Sequence, residues 1–268
     1  MNLAASRILL TGATGGIGRA LAFELAGRGA RLSLLARDER ALAALVQSLR
    51  AKGAEAMPLV FDLSRREGHA AIVSEALAQW GGLDALINNA GVSSFSAYSS
   101  EDADAIARLV DINVRAPMLL TRAVLPHFAE RRAGLIANIG SILGSIALPH
   151  FTAYSASKFA MRGFSQALRR ELKGTGIKVA YIAPRTTATA MNGPPARAYM
   201  QRTGAAVDAP ETVARVIADA LERERAETSI GRPERMFMLL NALLPRLVDR
   251  ALVRQKRIAE HLLRAFDA

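Results

Sequence analysis

The chain has 268 residues, 51% hydrophobic and 22% charged, with a formal net charge of +11 and no cysteine. That is ample material for one large α/β domain or two small ones, and it excludes a disordered chain, a disulfide framework and a thiolate metal site. The positive charge attracts phosphates, nucleic acid or anionic membrane, but the arginines are spread along the whole chain and no nucleic-acid-binding motif gathers them, so a solvated basic surface plus one anionic cofactor is the simpler account.

The first apolar run, Ile8 to Leu10, is three residues long and is followed by glycines. It is too short for a signal-peptide core, and no stretch reaches the roughly 20 apolar residues that span a bilayer, so the cytoplasm is the expected location. Residues 7–11 read as a strand, 17–26 as a helix, 31–36 as a strand, 39–51 as a helix, 56–61 as a strand and 67–80 as a helix. The pattern continues with a strand over 83–88, a long helical region over 102–130 in two pieces around Pro117, a strand over 134–139, a helix over 152–172 and a strand over 178–183. Strands alternating with crossover helices imply parallel pairing, and strands apolar on successive residues imply a sheet covered on both faces. The expectation is a Rossmann-like, doubly wound α/β sheet in a single domain over 1–232. Residues 185–210, rich in Thr, Ala, Gly and Pro, read as a mobile loop with short helices, followed by a helix over 211–225 and a last short strand over 228–231. Residues 233–268 read as an amphipathic helical extension of the same domain.

"ILLTGATGGIGRA" places Gly12, Gly16 and Gly18 between a strand and a helix beginning at Ile17. Such a loop lets the backbone approach a pyrophosphate, and the helix aims its amide dipoles at the anion. The second strand ends at Ala36, where an NAD-binding chain usually carries an acidic residue for the ribose 2′-hydroxyl, and Arg37 follows. A guanidinium fork suits a 2′-phosphate, so NADP(H) is favoured over NAD(H). Asp38 either caps the next helix or touches a ribose. Asp62, at the next strand end, either meets an adenine amino group or caps the helix after Ser64.

Asn88, Asn89, Ala90 and Gly91 end the fourth strand, where small and amide side chains let a ribose pass close to the backbone. Ser141 ends the fifth, at the carboxyl edge where open α/β sheets bind ligands. Tyr154 opens a helix thirteen residues later, with Lys158 one turn on along the same face. Lysine is scarce here: Lys52, Lys158, Lys173, Lys178 and Lys256 are the only five. The four histidines are scattered without ligand spacing, and no metal site is expected.

Together these residues resemble the short-chain dehydrogenase/reductase family from about residue 5 to about residue 190. The glycine motif is matched by Thr11, Gly12, Gly16 and Gly18, the Asn-Asn-Ala-Gly motif by Asn88 to Gly91, the mid-helix asparagine by Asn113, the catalytic serine by Ser141 and the Tyr-x-x-x-Lys pair by Tyr154 and Lys158. The resemblance implies catalytic roles for Asn113, Ser141, Tyr154 and Lys158. It implies cofactor contacts from Thr11, Gly12, Thr14, Gly15, Gly16, Ile17, Gly18, Arg37, Asp62, Leu63, Asn89, Ala90, Gly91, Tyr154, Lys158, Pro184 and Thr189. It also implies a carbonyl or secondary-alcohol substrate and a homodimer or homotetramer. In those roles Tyr154 is the acid/base, Ser141 holds the substrate oxygen and Asn113 belongs to a proton relay. A cation about 6 Å from the tyrosine at an effective dielectric of about 20 contributes roughly 2.8 kcal/mol, enough to lower its pKa by roughly two units.

Two places depart from the pattern. Arg185 stands where the family usually has glycine after Pro184, and it either points to solvent or reaches an anionic group on cofactor or substrate. Gly140 stands where the first of a serine pair is usual. The tail is unusual as well. Apolar residues recur from Leu247 through Ala251, Ile258 and Leu262 to Phe266, with Val248, Leu252, Ala259 and Leu263 beside them, and six basic residues face three acidic ones over 246–268. The tail either packs over the cleft or a second subunit, or lies at a membrane surface or on a lipidic substrate. A non-catalytic NADP(H)-binding regulator is the competing functional reading, against which all four catalytic residues stand.

Overall fold

A computed structural model describes residues 1–267, with the side chains of all of these but Arg232, Pro233, Arg235 and Asp267. Strands β1 (Arg7–Thr11), β2 (Arg31–Ala36), β3 (Ala56–Val60), β4 (Ala85–Asn88), β5 (Gly134–Ile139), β6 (Ile177–Ala183) and β7 (Glu227–Ser229) form one parallel sheet in the order β3-β2-β1-β4-β5-β6-β7. The expected doubly wound fold is therefore present, with its order reversing between β1 and β4. That reversal opens a crevice beyond the carboxyl ends of the strands.

Helices α1 (Gly16–Gly27), α2 (Glu39–Arg50) and α8 (Pro210–Glu222) cover one face, and α3 (His69–Trp80), α5 (Ala116–Arg131) and α6 (Thr152–Glu171) the other. The two-residue period of a strand divides β1 between them. Ile8 and Leu10 join the core under α1, α2 and α8, while Leu9 joins the core under α3 and α5. All three are fully buried, which is why the strand reads as a continuous apolar run.

The helical region over 102–130 breaks earlier than the sequence predicts. Helix α4 (Ala103–Val110) runs into a single π-type turn, Asp111–Arg115, before α5 begins. Pro117 lies just beyond that turn, at the start of α5, and the helical backbone runs on through it without interruption. The segment predicted as a mobile loop is organised by a parallel bridge between Thr187 and Asp208 and by helix α7 (Pro194–Thr203).

The tail is not one amphipathic helix but three: α9 (Arg232–Leu243), α10 (Pro245–Ala251) and α11 (Val253–Asp267). Its buried face carries Val248, Ala259 and Leu262, whereas Leu247 and Phe266, predicted on the same stripe, are exposed. The breaks around Pro245 and Leu252 re-phase the helices and split the stripe. Ala268, the last residue of the predicted extension, lies outside the described residues.

At the amino-terminal edge of the sheet Asp84 clamps three elements. Its carboxylate accepts from the Arg7 backbone N–H at 2.9 Å, from Arg7 Nε at 2.8 Å and from an Arg131 guanidinium N–H at 2.8 Å. Burial alone would push the Asp84 pKa up, but these hydrogen bonds and the neighbouring positive charge hold it well below the usual carboxylate range. Asp84→Asn should destabilise the protein by about 2 kcal/mol at pH 7 in urea unfolding. A group whose folded pKa is depressed stabilises above its unfolded value and loses that contribution as pH falls, so the gap between variant and wild type should narrow below about pH 4.

Candidate active site

The first strand ends in a backbone crossing that only glycine allows. Gly12 has φ +66°, and a Cβ there would lie 2.7 Å from the Cα of Ala90, at the end of β4. A Cβ on Gly16 would lie 2.5 Å from Cγ2 of Thr189, and one on Gly18 would strike the Gly12 carbonyl. Gly15 is the N-cap of α1 and offers no side-chain partner to the first turn, so amide donors remain for an anion. Thr11 has a structural role the motif does not reveal. Its buried hydroxyl accepts from the Asn89 and Ala90 backbone N–H groups, each at 3.0 Å, and Asn89 Nδ2 donates to the Thr11 carbonyl at 3.0 Å. The two side chains clasp β1 to β4 and hold the loop from behind.

Asp38 accepts from the Ala41 backbone N–H at 2.9 Å and so caps α2, one of the two roles its position offers. Arg37 is exposed on the cleft rim beyond β2. Asp62 accepts from the Ser64 N–H at 2.9 Å and hydroxyl at 2.8 Å. Burial pushes its carboxyl up, but the Ser64 bonds and the charges of Arg108 and Arg37 bring it below its ordinary value.

At the chemical end three elements converge. Ser141 follows β5, Tyr154 and Lys158 lie in the first turns of α6, and Asn113 occupies the π-type turn. Lys158 Nζ stands 5.6 Å from the Tyr154 ring centroid and donates to the Ile139 carbonyl at 3.3 Å. The point a Cβ on Gly91 would occupy is 3.3 Å from Asn113 Oδ1 and 3.6 Å from Lys158 Nζ, so carboxamide and ammonium meet across a glycine. Asn113 is itself pinned. Its Oδ1 accepts from Val92 N–H at 2.9 Å, and its Nδ2 donates to the Val92 carbonyl at 2.9 Å and to Ser157 Oγ at 3.0 Å.

The expected lowering of Tyr154 by Lys158 is not met in the protein alone. Tyr154 keeps some surface open to the cleft, yet it is packed round by protein, and burial pushes its hydroxyl up to about 12 against the opposing contact with Ser141. The same burial brings Lys158 down to about 8. Desolvation disfavours the charged form of each, and for the tyrosine it outweighs the contact with Ser141.

These residues line one cavity of about 930 Å³. Every residue predicted to touch a cofactor or to act in catalysis faces it except Thr11 and Asn113, which stand behind its wall. The far end was not predicted residue by residue. Phe95, Phe151 and Tyr199 form an aromatic cluster with ring centroids 4.7 to 6.1 Å apart, extended by Leu143 and Leu262. Helix α11 packs against α7 there, so the tail builds part of the cleft wall.

Arg185 lies at the cavity wall, half-buried, and its guanidinium is held by two carboxylates, a role its sequence position does not suggest. Its Nε and one terminal nitrogen grip the Asp208 carboxylate at 2.9 and 2.8 Å, and the other terminal nitrogen reaches Glu234 of α9 at 3.3 Å. The two carboxylates that claim it are distant in sequence and invisible to local pattern. Among the described residues no group of acidic or histidine side chains could hold a metal, and no helix is long and apolar enough to cross a membrane.

The family model for short chain dehydrogenases matches residues 6–199. A short chain dehydrogenase of Pseudocercospora fijiensis is 37% identical over 188 residues, 69% of this chain and 61% of that protein, so the chain matches under two thirds of that relative's length. A short-chain dehydrogenase from Sphingobium yanoikuyae, solved in complex with NADPH, is 32% identical with a TM-score of 0.78, covering 91% of this chain and 96% of that one. A short chain dehydrogenase/reductase from Burkholderia phymatum, solved with NAD, has the same fold at a TM-score of 0.84 and 24% identity, covering 92% of this chain and 96% of that one.

The buried ammonium has a thermodynamic signature. Below its folded pKa of about 8 Lys158 is charged in both folded and unfolded states, and the desolvation cost is fully present; above its ordinary value of 10.5 it is neutral in both, and the cost is gone. Lys158→Met should therefore stabilise the protein by about 1–3 kcal/mol at pH 7, with the gain shrinking between pH 8 and 10.5 in thermal melts.

Proposed function

The chain belongs to the short-chain dehydrogenase/reductase family, and on that footing we propose that it is an NADP(H)-dependent oxidoreductase interconverting a lipophilic ketone or oxoacyl-type carbonyl and its secondary alcohol. The observation that carries this reading is the shared cleft. Ser141, Tyr154 and Lys158 open onto the same cavity as the Gly12–Gly18 loop, with Lys158 Nζ 5.6 Å from the Tyr154 ring.

The glycine cradle and the rim arginine fit a dinucleotide phosphate. Gly12, Gly15, Gly16 and Gly18 would hold the pyrophosphate, Arg37 the 2′-phosphate, and Asn89 to Gly91 a ribose, with Pro184 and Thr189 at the nicotinamide side. NADPH in the Sphingobium relative supports the preference, and NAD(H) is the alternative. When bound, NADP(H) supplies or accepts the hydride. The chain's own residues do the rest. Ser141 Oγ would hold the carbonyl oxygen as a hydrogen-bond donor, as oxyanion sites do. Tyr154, kept protonated by burial, would give its proton to the oxygen as it becomes an alkoxide. Lys158, through its ammonium, would favour negative charge on the tyrosine oxygen left behind, and Asn113, through its helix turn, would hold the route by which that proton is replaced. In the reducing direction the raised tyrosine is a ready donor; in the oxidising direction it must first lose a proton.

Leu143, Ile146, Leu148, Tyr199 and Phe237 line the substrate end, an apolar set that suits a lipophilic chain. A homodimer or homotetramer is part of the reading. The assay is NADPH consumption across ketones of graded chain length, repeated with NADH. Wild type should prefer NADPH and longer ketones, and Tyr154→Phe should bind NADPH normally while kcat falls by about a thousandfold. Turnover of only small polar sugars, or an undiminished Tyr154→Phe, refutes the assignment.

One observation favours a second role at a membrane surface. Met236, Leu239, Leu243, Leu244 and Leu247 are all more than half exposed along α9 and α10, beside exposed Arg246 and Arg250. The full chain should then float with anionic vesicles and a chain truncated after Gly231 should not; equal partitioning removes this role.

A further inference from the structure

We propose that Tyr181 is a positioning residue for the reaction: its phenol fills the space beside Gly140 and fixes the peptide of Ser141, setting the angle at which the serine hydroxyl meets substrate. The proposal rests on the reading of Ser141 as the group that holds the substrate oxygen.

Tyr181 lies on β6 opposite Asn138 of β5, one pair before the end of that sheet pairing, and its ring is fully buried among Met161, Ala183, Val114 and Phe164. A buried ring in that place needs no hydroxyl for packing. Here the hydroxyl is used twice on one residue: it donates to the Ser141 carbonyl at 3.2 Å and accepts from the Ser141 backbone N–H at 3.4 Å. The phenol thus brackets the Ser141 peptide from the side away from the cleft. Ser141 also accepts, through Oγ, from the Leu143 N–H at 3.1 Å, which ties the side chain to the same turn.

Two glycines make the room. A Cβ on Gly140 or on Gly144 would overlap the Tyr181 ring or its hydroxyl, and one on Gly144 would also lie 2.7 Å from the Lys158 carbonyl. Neither glycine has positive φ, so backbone freedom does not explain them; space for the phenol does. The wedge therefore sits where the turn carrying Ser141 meets the helix carrying Tyr154 and Lys158. The usual serine is missing at position 140 because Tyr181 occupies the volume its side chain would need. Burial pushes the Tyr181 hydroxyl up to about 12, so the donor persists through neutral and mildly alkaline pH.

The test separates packing from positioning. Tyr181→Phe keeps the ring and removes only the bracket. It should melt close to wild type and bind NADPH equally, with kcat on the best ketone reduced roughly three- to tenfold and KM changed less. Gly140→Ser alone should fold poorly against the intact phenol. Gly140→Ser combined with Tyr181→Val should fold, and should exceed Tyr181→Val alone in kcat by returning a hydroxyl beside the Ser141 peptide. A wild type that turns over ketones alongside a Tyr181→Phe of undiminished kcat from pH 6 to 9 overturns the proposal alone, as does a Gly140→Ser that melts like wild type. A wild type that turns over no carbonyl compound defeats the functional reading, and the proposal with it.

Discussion

The site is organised around a cation held out of water. Lys158 is buried, and the Ile139 carbonyl is its hydrogen-bond partner among the described residues. A charge in that position costs stability, and in the proposed reaction it would be offset by the charge on a developing alkoxide and phenolate, on which a cation acts most strongly in a dry place. Tyr154 is the counterpart. The surroundings that bring the lysine down to about 8 push the tyrosine up to about 12, so the resting pair is a cation beside a neutral phenol. The pair is therefore set for giving a proton rather than for taking one. Any positive charge brought near the phenol by a bound ligand acts in the opposite sense and eases the reverse reaction.

Holding that pair in register takes contributions from five separate parts of the chain. The β4 and β5 ends supply backbone, and the π-type turn turns Asn113 toward Val92 and Ser157. The β1 end is clasped to β4 by Thr11 and Asn89, and the β6 strand supplies Tyr181 from beneath. A π-type turn inserts one extra residue into a helix, which re-aims a side chain without ending the helix, and such turns gather at functional sites for that reason. Asn113 illustrates it: a regular helix through 111–115 would rotate its carboxamide away from Gly91 and Lys158.

Much of this was legible in the sequence because it is enforced locally. Arg7–Thr11, Arg31–Ala36 and Gly134–Ile139 are strands with the predicted boundaries, since apolar runs bounded by glycine or arginine leave few alternatives. Gly12, Gly16 and Gly18 could be read because a close crossing tolerates no other residue type, and the Ser141, Tyr154 and Lys158 spacing because one strand end and one helix turn carry it. What could not be read depends on partners distant along the chain. Tyr181 contacts Ser141 across forty positions, and nothing around residue 181 marks it as more than a strand aromatic. The direction of the Tyr154 pKa was missed for a related reason: the cation's pull can be estimated from spacing, whereas desolvation depends on walls contributed by loops and tail helices. The clasp that Thr11 makes with Asn89 and Ala90 is likewise invisible in the motif, because it joins strand ends 78 and 79 positions apart.

Arg185 connects the catalytic edge to the tail. Glycine after Pro184 would leave residues 186–189 free to adopt several paths. Arginine instead closes a fork on Asp208, whose backbone N–H donates to the Thr186 carbonyl at 2.9 Å and whose carbonyl accepts from Ala188 N–H at 3.0 Å. One aspartate therefore fixes the segment by its side chain and by its backbone, and Thr189 arrives against Gly16 as a result. The same guanidinium extends to Glu234 at the start of α9, while Asn241 of that helix donates to the Ser145 carbonyl at 2.9 Å, one turn beyond Ser141. The tail is thus tied to both sides of the reacting centre, and α11 closes the far end against α7. A charged network replaces backbone freedom with a fixed frame, and it joins the loop after β6 to the cavity wall that the tail builds. Tail residues on the cavity wall can therefore change while the geometry around Ser141, Tyr154 and Lys158 stays where the sheet has put it.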